Sequence, residues 1–308
     1  MSPGRDIDHM NMLLTQTSHV DYEELCRLDV LGLQDAPEHD QRAVYTEFCE
    51  QLVRHPEGWY ETGPPWKRGH PPLPNNKAGS LRRLAQLQPK LQHLGVAEKY
   101  AETIEQQKSE GIVETATEPP QGKEFYIPHK PVVRMKAEST KLRIVCDASA
   151  QANHNAPSLN DCLYPGPPLQ NRIWNVLVRL RFHPVGLTGD LKQAFLQVRI
   201  KKEERDALRF QWKSHQEAEV ETLRFTRALF GLTSSLFLLG GVIESHLDSW
   251  QVQNPELIAE LRRSLYVDDL VSGKPTVKEA QDLKRGAIEV FEDERFTLHK
   301  WHSNVFST

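Results

Sequence analysis

The chain is poor in the features that would place it in a membrane or staple it covalently. It has no run of about 18 apolar residues, so no membrane span is expected. Its N-terminus, Met1-Ser2-Pro3-Gly4-Arg5-Asp6, lacks the apolar core of a secretory signal, and a cytoplasmic location is the expectation. The cysteines, Cys26, Cys49, Cys146 and Cys162, are few and scattered with no CxxC spacing. That excludes a disulfide scaffold and reads as free buried thiols in a reducing compartment. Internal repeats and low-complexity tracts are missing too. What is there, 38% hydrophobic and 26% charged residues over 308 positions, is the composition of a folded globular chain with one large or two modest domains.

The net charge of −4 hides an asymmetry. Lys+Arg minus Asp+Glu is 12 − 19 = −7 for residues 1–120, 16 − 8 = +8 for 121–215, and 10 − 15 = −5 beyond. A basic middle between acidic flanks can hold a polyanion locally while the whole stays near neutral. An uneven distribution with no function gives the same sums.

Periodicity orders the elements. Asp21–Leu28 and Asp40–Leu52 open with acids and carry apolar residues at helical spacing. Residues 63–76 are rich in Pro and read as a linker. Ser80–Gly111 is helical again, with Gly111 as a stop. Segments 124–128, 131–135 and 142–146 read as strands, with a turn at 138–140. A helix follows at 172–180 and a short apolar strand from Pro184 runs into Asp190. Further strands are expected at 207–212 and 221–225, then a helix at 237–250, a hairpin at 264–272, a helix at 277–291 and a last strand. Helices segregated to one face of an antiparallel sheet make an α+β fold.

Tyr266-Val267-Asp268-Asp269 sits between apolar runs. Adjacent residues on a strand point to opposite faces, but at a hairpin tip two carboxylates can enter one cleft. The pair is an ordinary polar turn or a metal platform. Asp190 ends an apolar strand, where an acid is a turn former, a helix cap, or a third ligand. Neighbouring antiparallel strands would bring Asp190 to Asp268. Crowded carboxylates raise one another's pKa, and a divalent cation relieves this. Mg²⁺ suits such a site because it needs few carboxylates and keeps positions for water and phosphate.

Asp190-Leu191-Lys192-Gln193-Ala194-Phe195 followed by Tyr266-Val267-Asp268-Asp269 resembles motifs A and C of a reverse transcriptase palm. Lys136, Lys141 and Arg143 around Ser139-Thr140 resemble the fingers hairpin that grips a triphosphate. Residues Arg227 to Ser235 resemble motif B, and Leu298 to Asn304 resemble motif D. Pro157-Ser158-Leu159-Asn160-Asp161-Cys162-Leu163-Tyr164-Pro165-Gly166-Pro167-Pro168-Leu169-Gln170 is similar to the BEL/Pao class of long-terminal-repeat retrotransposons, as is Ser80-Leu81-Arg82-Arg83-Leu84. The resemblance runs from about residue 20 to the end.

It implies an RNA-directed DNA polymerase built as right-hand fingers and palm, the antiparallel palm sheet backed by helices, over residues 80–308. Residues 1–79 would be an acidic, helical and Pro-rich linker from a polyprotein. Asp190 and Asp268 would bridge two Mg²⁺ ions, which Mn²⁺ can replace, with Asp269 beside them. Lys300 would give a proton to pyrophosphate. Arg143 would fork a phosphate, with Lys141 or Lys136 as a point charge. Phe195 would exclude the 2′-hydroxyl that separates ribo- from deoxyribonucleotides. Phe230 and Gly231 would lie near the templating base and the incoming dNTP, and Tyr266 near the primer terminus. The implied partners are an RNA or DNA template–primer, dNTPs, and the protease, RNase H and integrase of a full element, in a cytoplasmic virus-like particle.

The chain departs from the pattern in two ways. Leu236 stands where motif B usually has Pro, and the chain stops at Thr308 without a thumb, an HHCC zinc cluster or a protease Asp-Thr-Gly triplet. The alternative is a non-catalytic remnant that keeps the fold and a nucleic-acid-binding surface. A telomerase-like or group-II-intron-like polymerase fits the wording of residues 157–170 less well.

Overall fold

The structure, a computed structural model, describes residues 38–116, 118–136, 139–215 and 217–305. The helix expected at 21–28 lies outside them, as does Glu138 of the turn expected at 138–140, whose Ser139 and Thr140 open a strand instead.

The first described helix, α1 (Glu38–Gln51), leads through β1 (Val53–Arg54) into β2 (Tyr60–Thr62). Then come α2 (Lys77–His93), α3 (Ala97–Ser109), β3 (Val113–Thr115) and the ribbon β4 (His129–Lys136) and β5 (Ser139–Cys146). Helix α4 (Ile173–Arg181) precedes β6 (Val185–Leu191), the one-turn helix α5 (Ala194–Gln197) and β7 (Arg199–Ile200). Strands β8 (Arg209–Trp212) and β9 (Glu221–Phe225) pair antiparallel. Helices α6 (Ser235–Trp250) and α7 (Pro255–Ser264) lead to β10 (Leu265–Tyr266) and β11 (Asp269–Lys274), and α8 (Val277–Asp293) to β12 (Leu298–Ser303). The α+β reading therefore stands.

The sheet that matters for the site is antiparallel throughout, in the order β10-β11-β6-β12. β6 alternates cleanly: Val185, Leu187, Gly189 and Leu191 are buried, while Gly186, Thr188 and Asp190 are partly exposed. Such alternation is what one packed face and one open face require. Helices α7 and α8 pack against this sheet. α8 buries Ala280, Leu283, Ala287, Val290 and Phe291, one stripe at helical spacing. Its start is held by a capping box in which Thr276 Oγ1 accepts from Glu279 N at 3.2 Å and Glu279 Oε2 accepts from Thr276 N at 3.1 Å.

Several sequence expectations change. The Pro-rich stretch is not a free linker: Trp66 Nε1 donates to Glu204 Oε2 at 2.8 Å, and its backbone bridges Leu163. Ahead of it, β2 runs parallel to β7, and Phe48 meets Phe237 edge-on at 5.0 Å. Gly241 makes room, since a Cβ there would come 2.4 Å from the Phe48 ring. The N-terminal segment thus shares the main core through Val44, Phe48 and Tyr60. Segment 124–128 is an extended strap bridging Arg209 rather than a strand, and 207–208 belong to the 3₁₀ turn Lys202–Leu208. The helical stretch expected at 80–111 consists of two helices, α2 and α3, separated at Gly95, whose φ is +63°. Helix α7 was not expected. Its signals were Asn254 capping Leu257 N, Pro255 at the first position, and Leu257, Ile258 and Leu261 at helical spacing. Among the thiols, Cys162 is buried, Cys146 partly so, and Cys49 is exposed.

Candidate active site

Strand register decides which carboxylates meet. β6 and β11 pair so that Asp190 stands directly opposite Asp269. Directly opposed residues share a face of the sheet, with Cβ atoms roughly 5 Å apart. Asp268 is not in the ladder. Tyr266 pairs with Asp269, which leaves Val267 and Asp268 as a two-residue hairpin turn. The expectation that Asp190 would face Asp268 is therefore refined: Asp269 is the cross-strand neighbour, and Asp268 reaches the same place from the turn. Its carbonyl accepts from Leu191 N at 2.8 Å, which locks the turn to the end of β6.

The turn itself is strained. Val267 has φ +57°, a left-handed conformation that a β-branched residue resists. Primed hairpin turns need a positive φ at that position, and Gly or Asn normally supplies it. Here Val267 also packs against the core, so burial offsets the conformational cost.

The fourth group arrives from the opposite edge. β12 pairs with β6 through His299↔Asp190 and His302↔Thr188, so Lys300 and Trp301 together stand opposite Gly189. Two residues against one make a β-bulge, and Lys300 takes the left-handed φ of +47° within it. Gly189 permits this: a Cβ there would lie 2.9 Å from the Trp301 ring. The bulge turns Lys300 inward, and its ammonium donates to Asp190 Oδ2. His299 Nε2 lies 3.5 Å from the same oxygen. His299 went unnoticed in the sequence, although its place one residue before Lys300 was the available signal.

Electrostatics mark the cluster as short of positive charge. Burial pushes the Asp268 carboxyl above its ordinary 3.8, and Asp190 pushes the same way; its own backbone N–H and Lys300 only partly oppose this. Asp269 is raised by burial, then by Asp268 and Asp190. Among the described residues no three His, Cys, Asp or Glu side chains form a ready-made metal-binding group. The donor set nonetheless fits Mg²⁺: three hard carboxylates that repel one another, with the Lys300 ammonium already drawn to one of them.

Phe195 and Phe230, expected on the nucleotide side, meet at a second point. Phe195 lies in α5, and its ring meets the Phe230 ring at 5.7 Å and 75°. Phe230 is nonetheless 73% exposed. Gly231 follows with φ +112°, and a Cβ there would fall 2.9 Å from the Cys146 carbonyl oxygen. This places the Phe230-Gly231 turn against the base of the β4–β5 ribbon. The ribbon register puts positions 136, 141 and 143 on one face, since Lys136 pairs with Ser139 and Val132 with Arg143. Arg143 is exposed on that face. The side chains of Lys136 and Lys141 lie outside the described part of the structure. Among the described residues no hydrogen bond or ion pair joins Arg143 to the carboxylates. Tyr266 is partly buried and pairs with Asp269.

Gly231 gives a direct test. Gly231→Ala forces a side chain into a left-handed position against the Cys146 carbonyl oxygen. The expected cost is about 1–3 kcal/mol, read by urea denaturation. An unchanged midpoint would show that the turn relaxes freely.

No protein-family model matches the chain, and no curated protein matches it in sequence. Among solved structures, that of a foamy viral protease-reverse transcriptase in complex with an RNA/DNA hybrid is similar to it. The identity is 15%, the TM-score 0.48, and the match covers 87% of this chain. It covers 34% of the other, so this chain spans about a third of the length of the protein it matches. A likeness of that degree decides nothing about activity. No helix among the described residues is long and apolar enough to cross a membrane.

Proposed function

We propose that this chain is the fingers and palm of an RNA-directed DNA polymerase from a BEL/Pao-class retrotransposon. It would transfer a nucleotidyl group from a dNTP to a primer 3′-hydroxyl on an RNA or DNA template. The observation that carries the reading is the opposition of Asp190 and Asp269 across β6 and β11, with Asp268 on the turn and Lys300 closing the group.

In the reaction the 3′-oxygen bonds to the α-phosphorus and the bond to the β-phosphate oxygen breaks. The hydroxyl loses its proton and pyrophosphate leaves. Asp190 and Asp268, with Asp269 alongside, would hold two Mg²⁺ ions, which when bound supply Lewis acidity to the attacking and leaving oxygens; Mn²⁺ can substitute. Lys300 sits at Asp190 and would offer a proton to the departing pyrophosphate. Arg143, with Lys136 and Lys141, would meet the triphosphate from the ribbon, where geometry and positive charge matter more than covalent help. Template–primer would run past Phe230 and Tyr266. The other polyprotein domains, and a cytoplasmic particle to house them, belong to the same proposal.

Primer extension on a homopolymeric RNA template, with Mg²⁺ or Mn²⁺ and a chelator control, tests the reading. Metal-dependent extension that disappears in Asp268→Asn supports it. A folded chain that extends no primer would be a remnant that keeps only the fold.

Phe195 supplies a second test. Its ring, braced edge-on by Phe230, would act as a wall at the sugar. Phe195→Ala should raise ribonucleotide use relative to deoxyribonucleotide by roughly tenfold or more in single-nucleotide incorporation. An unaltered ratio would rule out Phe195 as the sugar gate.

A further inference from the structure

Asn160 begins a short 3₁₀ turn, Asn160–Cys162, 71 residues before Gly231 in the sequence. Its amide joins two other pieces of chain. Nδ2 donates to Ser149 Oγ at 2.9 Å, just past the ribbon, and to the Gly231 carbonyl at 3.0 Å. Oδ1 accepts from Thr233 N at 2.9 Å. The partners fix which end of the amide is which, because a carbonyl only accepts and a backbone N–H only donates. Both amide hydrogens and one oxygen lone pair are thereby used.

The support beneath Asn160 is rigid. Asp161 Oδ2 accepts from Ser158 N at 2.8 Å and from Ser158 Oγ at 2.7 Å. Asn160 N donates to the Ala148 carbonyl at 3.1 Å. Leu159 and Leu163 on either side are fully buried. A side chain so held transmits its position to whatever it grips. It grips the two ends of the segment 231–233, directly after Phe230, whose ring contacts Phe195. Gly231, at φ +112°, has no side chain of its own to fix that turn.

We infer that Asn160 is a positioning residue for the nucleotide pocket: it clamps the Phe230-Gly231 turn to the base of the β4–β5 ribbon and so sets the Phe230–Phe195 wall. The inference rests on the polymerase reading above. It assigns Asn160 no contact with substrate.

Asn160→Asp is the sharpest probe, because it keeps size and shape while setting an oxygen against the Gly231 carbonyl. In purified chain, KM for dNTP should rise by about tenfold and the ribonucleotide fraction should increase. KM for template–primer should stay as it was, which a general loss of structure would not allow. Amide hydrogen exchange should speed up at residues 230–233 and remain unchanged in β6 and β11. Asn160→Ala, which removes the clamp without repulsion, should show the same pattern more weakly and serves if the Asp variant folds poorly. Extension by the unmodified chain together with an unchanged dNTP KM, sugar ratio and exchange in both variants would overturn the inference alone. No extension by the folded, unmodified chain would overturn the polymerase reading, and this inference with it.

Discussion

Asp268→Asn should abolish primer extension and, in the same protein, raise its resistance to heat. On the proposed polymerase reading the loss of rate is expected to be on the order of 10³, since Asn keeps the shape of the side chain and removes the charge that would hold the metal. The gain in stability follows from the repulsion at the turn. Asp268 is raised above 3.8 by burial and by Asp190, so its charged form is disfavoured in the folded chain. A carboxyl whose pKa rises on folding contributes stability below its unfolded value and loses that contribution as pH climbs through the folded one. At neutral pH the native protein therefore carries the full cost of the crowded charge, and Asn removes it. Melting in the presence of chelator should show the variant ahead at pH 7, with the gap closing below the ordinary carboxylate range. Equal melting of both proteins at pH 7 would show that Lys300 alone neutralises the cluster. Stability lost for the sake of a charged site is a familiar exchange in enzymes.

Glu260→Ala should have the largest effect on folding. Glu260, on α7, is buried behind the hairpin and gathers donors from both sides. Oε1 accepts from Ser264 Oγ at 3.1 Å and from Ser272 Oγ at 2.7 Å. Oε2 receives Lys274 Nζ at 2.9 Å and pairs with Arg263. Ser272 and Lys274 belong to β11, so this carboxylate ties α7 to the strand that carries Asp269. Burial alone would raise its pKa, but the hydrogen bonds from Lys274, Ser272 and Arg263 outweigh burial and hold it at about 2. Removing the acid leaves those donors facing a cavity, at a cost of about 3 kcal/mol. The lower end of the range applies because Arg263 is half-exposed and can turn to water. The sign with pH is opposite to that of Asp268. A depressed carboxyl stabilises above its unfolded value, near 4.5, and loses that contribution as pH falls toward about 2. Urea midpoints of native protein and variant should differ most at neutral pH and converge in acid. A difference that persists at pH 2 would assign the effect to packing rather than to the ion network.

Much of this arrangement was legible in the chain itself. Helix periods at 40–52, 237–250 and 277–291 appear as α1, α6 and α8 within a few residues. Alternation before Asp190 and around Asp268-Asp269 marked β6 and the β10–β11 hairpin. Pattern reading failed where a local signal was weak or misleading. Residues 63–76 carry the Pro content of a linker, yet Trp66 finds Glu204, a partner 138 residues away that no local pattern announces. Helix α7 was overlooked because its apolar stripe is short, although Asn254-Pro255 announced its start.

Local chemistry settled which residue types stand in each element, because side-chain period and turn preference act over a few neighbours. It could place Asp190, Asp268 and Asp269 on strand ends and Lys300 on a strand. Register is another matter. A shift of one residue between β6 and β11 would turn Asp190 away from Asp269, and packing of Leu191 and Leu270 against the core, with Leu187 buried on the same face, chooses between the two. The bulge that brings Lys300 to Asp190 depends on Gly189 yielding space to Trp301, a contact across 112 residues of chain. Asn160 meets Gly231 across 71 residues in the same way. Such contacts form only when distant segments are brought together by burial, so it was the folded core, acting over long separations, that chose the partners of each carboxylate and amide.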